Sequence, residues 1–349
     1  MTKFKEILQH TDDPYIIELY EKLIERAFEE TLRKAKLNYT PAKELYHYCS
    51  LETFHSIIES NCFWLSHPKF MNDKEENKYS IREANKAIEK YVRQYDQKKD
   101  NDDDSKDLLK LIELELRKNE IKYNRFDENK YEKINFFTCF SSDGDSLPMW
   151  SMYRGKDIGL SIGLDFTEKD YFVKFPKEEN EKSPFTDSNT YFTEIVYEYE
   201  KMEKAIYIFL DQFTKDWHNN QDQFKNIKNT VNEGLSRRVA ALLTFLSFFL
   251  KNNNFNYEQE TRILLSYHEE KDIKFRVRDK FIVPYIEFPL DNNKQKFNKP
   301  IIPIKSITIS PNAEEPQLVI ASIRAYLNHK GYNIDKIKIA PSTIPYKPR

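Results

Sequence analysis

A chain of 349 residues is long enough to bury a sizeable core, as one large domain or two smaller ones. Its 55 Lys and Arg stand against 57 Asp and Glu, a formal net charge of -2. No global field therefore draws it to polyanions, and any nucleic-acid contact has to come from a local patch. Only 6 glycines occur, where average usage would give roughly 24, which nearly excludes the glycine-rich phosphate cradles of Walker and Rossmann loops. The three cysteines (Cys49, Cys62 and Cys139) form no CxxC pair, which excludes a zinc knuckle and suits a reducing compartment. With no secretory leader, a cytoplasmic protein is expected.

Residues 1–43 read as an N-terminal helical extension. Tyr15 to Ile24 repeats apolar residues at helical spacing, and Pro41 ends the segment. The stretch LYHYCSLETFHSIIESNCFWLS, Leu45 to Ser66, predicts a strand, a helix and a second strand. Leu51, Phe54, Ile57 and Ile58 make one apolar helical stripe. Ser50 is placed to cap the helix, and Asn61 tolerates a left-handed stop. His47 is the polar ring of an otherwise apolar strand, aimed at the mouth of the turn or buried with a hydrogen-bond partner.

From Glu76 to about Arg125 the pattern is helical and charged, broken by the solvated run KKDNDDDSKD. INFFTCFSS, Ile134 to Ser142, is a continuous apolar strand of the type covered on both faces. MWSMY then sits on a short helix, and Ile158 to Phe166 alternates as a strand. Tyr191 to Tyr199 is another strand, and a long helical stretch covers Met202 to Asn252. Its apolar run Val239 to Leu250 is too short to span a bilayer. A strand from Tyr257 to Tyr267, strands at Tyr285–Phe288 and Ile304–Ile309, a helix over Pro316–His329 and a strand at Ile337–Ala340 complete the pattern. Strands separated by a large helical insert predict an α+β domain over residues 44–349, with helical inserts near 76–125 and 202–252.

Three groups of residues carry potential chemistry. His47, Tyr48 and Ser50 form the first. Cys139, Ser141, Ser142, Trp150 and Tyr153 form the second: core aromatics, or a flat wall on which a nicotinamide or adenine ring stacks with Ser141 as a polar handle. The third is Tyr257-Glu-Gln-Glu-Thr-Arg262, where strand alternation puts Glu258, Glu260 and Arg262 on one face. Beside a core strand, carboxylates need a purpose or a partner.

The L-Y-H strand, the helix after it and the second short strand resemble the opening of the ADP-ribosyltransferase fold. The likeness is to the class marked by histidine, an aromatic and glutamate, and to its DNA-modifying toxins. Members mostly carry Gly after the histidine or at the helix end, where this chain has Tyr48 and Asn61. The resemblance implies a split, mixed or antiparallel β-sheet core that binds NAD, with His47 on the adenosine ribose and the backbone after it on the nicotinamide amide. Tyr48, Ser50, Ser141, Trp150 and Tyr153 would complete the cofactor site. It also implies that Glu260 stabilises the positive charge that grows on the nicotinamide ribose, while Glu258 orients or deprotonates the acceptor. Arg262 would hold the glutamates ionised or bind the pyrophosphate.

The series LYHY, FWLSxPxFMND, CFSSxxDxxxMWSMY, YExExR and the terminal SxIPYxPR resembles a bacterial family of unknown function found among mobile and phage-defence genes. The expected activity is mono-ADP-ribosylation of a macromolecule, nucleic acid before protein. A toxin or antiviral role, and an antitoxin or regulatory partner on the N-terminal or inserted helices, would go with it. Two other readings stand beside this one. A metal-dependent nuclease or hydrolase would use Asp73, Glu75, Glu76, Asp143 and Asp145. A non-catalytic sensor would bind through its helices.

Overall fold

A computed structural model describes residues 14–35, 37, 44–71, 76–98, 103–124, 135–153, 158–165, 190–223, 228–265, 272–278, 280–289 and 302–345. In chain order the elements are α1 (Pro14–Lys34), β1 (Leu45–Ser50), α2 (Leu51–Ser60), β2 (Cys62–Ser66), α3 (Glu76–Gln97) and α4 (Asp103–Asn124). Next come β3 (Phe136–Ser141), α5 (Leu147–Tyr153), β4 (Gly159–Leu164), β5 (Thr190–Glu194), α6 (Tyr199–Asn220) and α7 (Lys228–Ser247). The chain closes with β6 (Glu260–Leu265), β7 (Ile273–Arg278), β8 (Phe281–Pro289), β9 (Ile304–Ile309), α8 (Pro316–His329) and β10 (Lys338–Pro341).

These elements sort into two compact units that interleave along the chain. One is helical and takes residues 1–38, 73–128 and 196–253; the other holds the sheet and takes 39–72, 129–195 and 254–349. The N-terminal helix and both expected inserts thus belong to a single unit. Its core is made of helix stripes at three- and four-residue spacing. Leu108, Ile112 and Leu116 of α4 are buried, as are Met202, Ile206, Phe209, Phe213 and Trp217 of α6. Within the expected helical stretch over 202–252 the described residues hold α6, a 3-10 turn over 221–223 and α7.

The fold class is α+β. The sheet unit carries an open ten-stranded sheet in the order β10-β9-β4-β1-β3-β2-β8-β7, with β6 on β3 and β5 on β6. Only β9 and β10 run parallel among the described pairs; the others are antiparallel. The sheet forks at β3. One edge of β3 pairs with β6 from Phe136↔Leu265 to Ser141↔Glu260. Its other edge is shared, by β1 at Ser141 and by β2 at Phe137.

The connection from β1 to β2 is α2, whose Phe54, Ile57 and Ile58 are buried in the core cluster that contains both strands. Its ends are fixed as the sequence predicts. The Ser50 hydroxyl accepts from the Thr53 amide at 3.2 Å, and Asn61 stops the helix at φ 50° in the left-handed region.

Two strands differ from expectation. The strand expected from Tyr257 begins only at Glu260, because Asn253–Glu258 winds as a 3-10 helix and Gln259 turns the chain at φ 43°. The strand expected to reach Tyr199 stops at Glu194, since Tyr199 already starts α6. A further strand, β7, was legible as the alternation IKFRVR but is not among the expected elements. Because Phe54 is 1% exposed, Phe54→Ala is expected to cost about 3–5 kcal/mol of stability, measured as a lowered urea midpoint.

Candidate active-site face

In a strand, consecutive side chains point to opposite faces, and directly paired residues of antiparallel strands share a face. Tyr46 pairs with Ser141, Ser141 with Glu260, and Cys139 with Arg262. Tyr46, Tyr48, Cys139, Ser141, Glu260 and Arg262 therefore line one face of the forked sheet. His47 pairs with Ile162 and lies on the other.

The His47 face is the apolar core. The imidazole packs edge-on to Phe63, with ring centroids 5.3 Å apart, and tilts on Phe140 at 5.6 Å. Its Nδ1 meets the Cys139 carbonyl at 3.0 Å. Burial pulls its pKa down to about 4, against the Cys139 carbonyl, which favours the proton, while the Arg276 charge lowers it further. His47 is thus a half-buried, neutral ring packed against the core. The pleat puts it on the opposite side of β1 from Tyr46 and Tyr48, and so on the other face of the sheet from Glu260. Ser50 is likewise absorbed as the helix cap.

The polar face holds the remaining candidates. Glu260 and Arg262 form a buried fork-to-fork pair: Arg262 Nε donates to Oε1, and Nη2 donates to Oε2 at 3.0 Å. Their side chains are 3% and 1% exposed. The guanidinium also lies over Phe137, 4.4 Å from the ring centroid. Arg262 thus holds Glu260 through both carboxylate oxygens.

Glu258 is out of the strand. The positive φ of Gln259 turns it into the end of the 3-10 helix, a conformation costing a non-glycine residue about 1–2 kcal/mol. Ser142 holds the turn: its amide donates to the Gln259 carbonyl at 3.0 Å, and its hydroxyl donates to Gln259 Oε1 at 2.6 Å. Buried Glu258 then meets the Tyr153 hydroxyl at 3.5 Å.

Tyr153 belongs to α5, and on that helix Trp150 packs edge-on to Tyr48 with centroids 4.8 Å apart. The Tyr48 hydroxyl donates to the Asp143 carbonyl at 2.8 Å and accepts from the Ser146 amide at 2.9 Å. Burial raises its pKa, so it stays a phenol. The buried Ser141 hydroxyl accepts from the Asp143 amide at 3.1 Å. The 143–146 loop is fastened to β1 and β3 in this way.

The acids of the metal reading are distributed differently. Asp73 and Glu75, and the side chain of Glu76, lie outside the described residues. The Asp145 carboxylate accepts from the Trp150 indole at 2.8 Å, the Ser342 hydroxyl at 2.5 Å and the Thr343 amide at 2.9 Å. Burial alone would raise its pKa, but these donors hold it below the ordinary value. Asp145 is the anchor of the C-terminal segment. Phe137, the platform under Arg262, was not singled out in the sequence, although the same alternation that placed Cys139 and Ser141 contains it.

Compared with protein families, residues 149–263 match one described as "Protein of unknown function (DUF2971)", about a third of the chain. The matched stretch starts at Met149 in α5 and ends at Ile263 in β6. It includes Trp150, Tyr153, Glu258, Glu260 and Arg262 and leaves out His47. Searches of curated proteins and of solved structures returned no match.

Two outcomes follow from this arrangement. His47 is neutral when folded and has an ordinary pKa near 6.5 when unfolded, so the unfolded chain binds more protons between those values. Its contribution is full above about pH 6.5 and is lost as pH falls towards 4, on the order of 3 kcal/mol. Urea titrations across that window should show the loss in the native chain and a smaller one in His47→Gln. Arg262→Met strands a buried carboxylate and should cost about 3–5 kcal/mol, with Glu260→Gln in the same chain restoring much of it in a double-mutant cycle.

Proposed function

We propose that the chain is a mono-ADP-ribosyltransferase that uses NAD to modify a macromolecule, nucleic acid before protein, and that its chemistry lies at Glu258 rather than at His47. The observation that carries this reading is the meeting of Glu258 with the Tyr153 phenol beside the Tyr48–Trp150 ring pair, on the face that also holds the Glu260 anion. The residues of that face suit the cofactor; His47, enclosed by Phe63 and Phe140, does not hold it. The resemblance to ADP-ribosyltransferases supports the reaction class.

NAD supplies an activated glycosidic bond between ribose and nicotinamide. Glu260, kept ionised by Arg262, lends a fixed negative charge towards the sugar, where positive charge grows as that bond breaks. Because its anion is already formed and held, little reorganisation is needed when the charge develops. Glu258 is the second carboxylate and takes the proton of the attacking acceptor group. Tyr153 orients it, and the partly buried Tyr46 and Tyr153 rings at the edge of the aromatic cluster receive the nicotinamide ring. Service as a toxin or antiviral effector, under a regulatory partner, belongs to the same proposal and is supported by the resemblance alone.

Nicotinamide release from NAD, followed with single-stranded oligonucleotides and with cell lysate as acceptors, tests this reading. Glu258→Gln is expected to lower the rate by about 10²–10⁴-fold, while His47→Gln retains it at pH 7.5. No release by the native chain with any acceptor overturns the activity. Loss in His47→Gln with retention in Glu258→Gln overturns the site.

A further inference from the structure

β7 and β8 pair from Ile273↔Ile286 to Arg278↔Phe281. Strand alternation therefore puts Phe275, Val277 and Ile282 on the side of Ile273 and Ile286, and Lys274, Arg276 and Arg278 on the other. Ile286 belongs to the core and Ile273 packs against it. Beyond them the same apolar face runs out past its cover: Phe275 is 57% exposed, Ile282 68% and Val277 80%. β7 stands at the end of the strand order, and among the described residues it pairs with β8 alone. The exposure of Val277 itself shows a bare flank, since a strand at the ordinary spacing of about 4.8 Å would cover one side of it.

Exposed sheet edges are commonly blunted by charge. A strand that only had to be kept from pairing would be polar on both faces, whereas β7 is basic on one face and apolar on the other. The cations decide what can join it. In a two-fold, antiparallel pairing with a second copy, every overlapping register sets a cation of β7 against another, and like charges directly opposite destabilise the pair. A hydrocarbon interior does not suit the edge either, because its N–H and C=O groups would go unsatisfied there. Acids at alternate positions do answer the cations, as Glu287 of β8 already does for Lys274 at 2.6 Å.

We propose that the outer edge of β7 is a docking site for an extended protein segment that alternates apolar with acidic residues and joins the sheet as a further strand. Its apolar side chains lie beside Phe275 and Val277, and its acids lie beside Lys274, Arg276 and Arg278. Its backbone satisfies the edge, which gives affinity, while the alternation gives register and selectivity. Tyr153, Glu258 and Glu260 take no part, so the site stands or falls apart from the transferase reading.

A fluorescein-labelled peptide that alternates valine with glutamate, titrated with the full chain, should show a saturable rise in anisotropy. Lysine in place of its glutamates is expected to weaken binding by about tenfold or more. Methylating every second amide nitrogen of the peptide should abolish binding in one phase and spare it in the other, the mark of a strand held by one edge. Val277→Glu changes an exposed side chain and should weaken the acidic peptide by about tenfold while leaving the urea midpoint in place. No saturable binding at millimolar concentration overturns the proposal, as does equal affinity for the lysine peptide or unchanged affinity in Val277→Glu. A dimer in sedimentation that Val277→Glu dissolves overturns it in favour of a second copy. Capture by phosphatidylserine vesicles that Val277→Glu abolishes overturns it in favour of a membrane surface.

Discussion

The chemistry of the sheet unit depends on one constraint, the alternation of side chains along β1. Tyr46 and Tyr48 go to the polar face, and His47 goes to the apolar one. No rotation about χ1 brings the imidazole through the strand. The antiparallel ladder fixes the rest by register: once Tyr46 faces Ser141, Glu260 and Arg262 must share its side. A slip of one residue would exchange the two faces. A slip of β1 is opposed by the core, since its Leu45 and Cys49 would leave it together.

The two arginines of the polar face show how a sheet can hold a cation in different ways. Arg262 is satisfied by Glu260 and Phe137, so its charge is balanced where it sits. Arg276 rests on aromatic faces and a single hydroxyl. Buried ion pairs gain little net stability, because desolvation offsets most of their attraction. What the Glu260–Arg262 pair provides is definition: a carboxylate with one orientation. The cation–π contacts likewise hold Arg276 in place without neutralising it. One arginine therefore orients a neighbouring acid, and the other is held by neighbouring rings.

The loop between β3 and α5 ties these features to the end of the described chain. Tyr48 and Ser141 hold it from the sheet, and Asp145 holds Ser342 and Thr343 beyond β10. Gly144 within the loop lies against the Tyr46 ring, where a Cβ would come within 2.4 Å of it. Here a small residue allows close approach to an aromatic side chain. The loop, Gln259 with its positive φ and the Trp150 ring all converge on the polar face. None of the described helices is long and apolar enough to cross a membrane.

Local pattern was enough for much of the molecule. The apolar stripe of α2, its Ser50 cap and its Asn61 stop, the buried strand β3 and the mixed class of the fold depend on spacing within a dozen residues. Glu258, Glu260 and Arg262 were recognisable as acids and a base beside a core strand, and Trp150 and Tyr153 as an aromatic pair on one helix. Sequence could not give the partners. His47 and Glu260 are separated by more than two hundred positions, and which face each occupies depends on ladder registers formed between distant strands. The turn at Gln259 that detaches Glu258 from β6 is held by Ser142, a contact across 117 positions. The cation at Arg276 gains its rings only because β7 folds back along β8. Periodicity along the chain determined which segments are helices and strands. Only the pairing of distant strands decided which side chains share a face, because the free energy of burying an apolar side chain is repaid by the whole core and not by its neighbours in sequence.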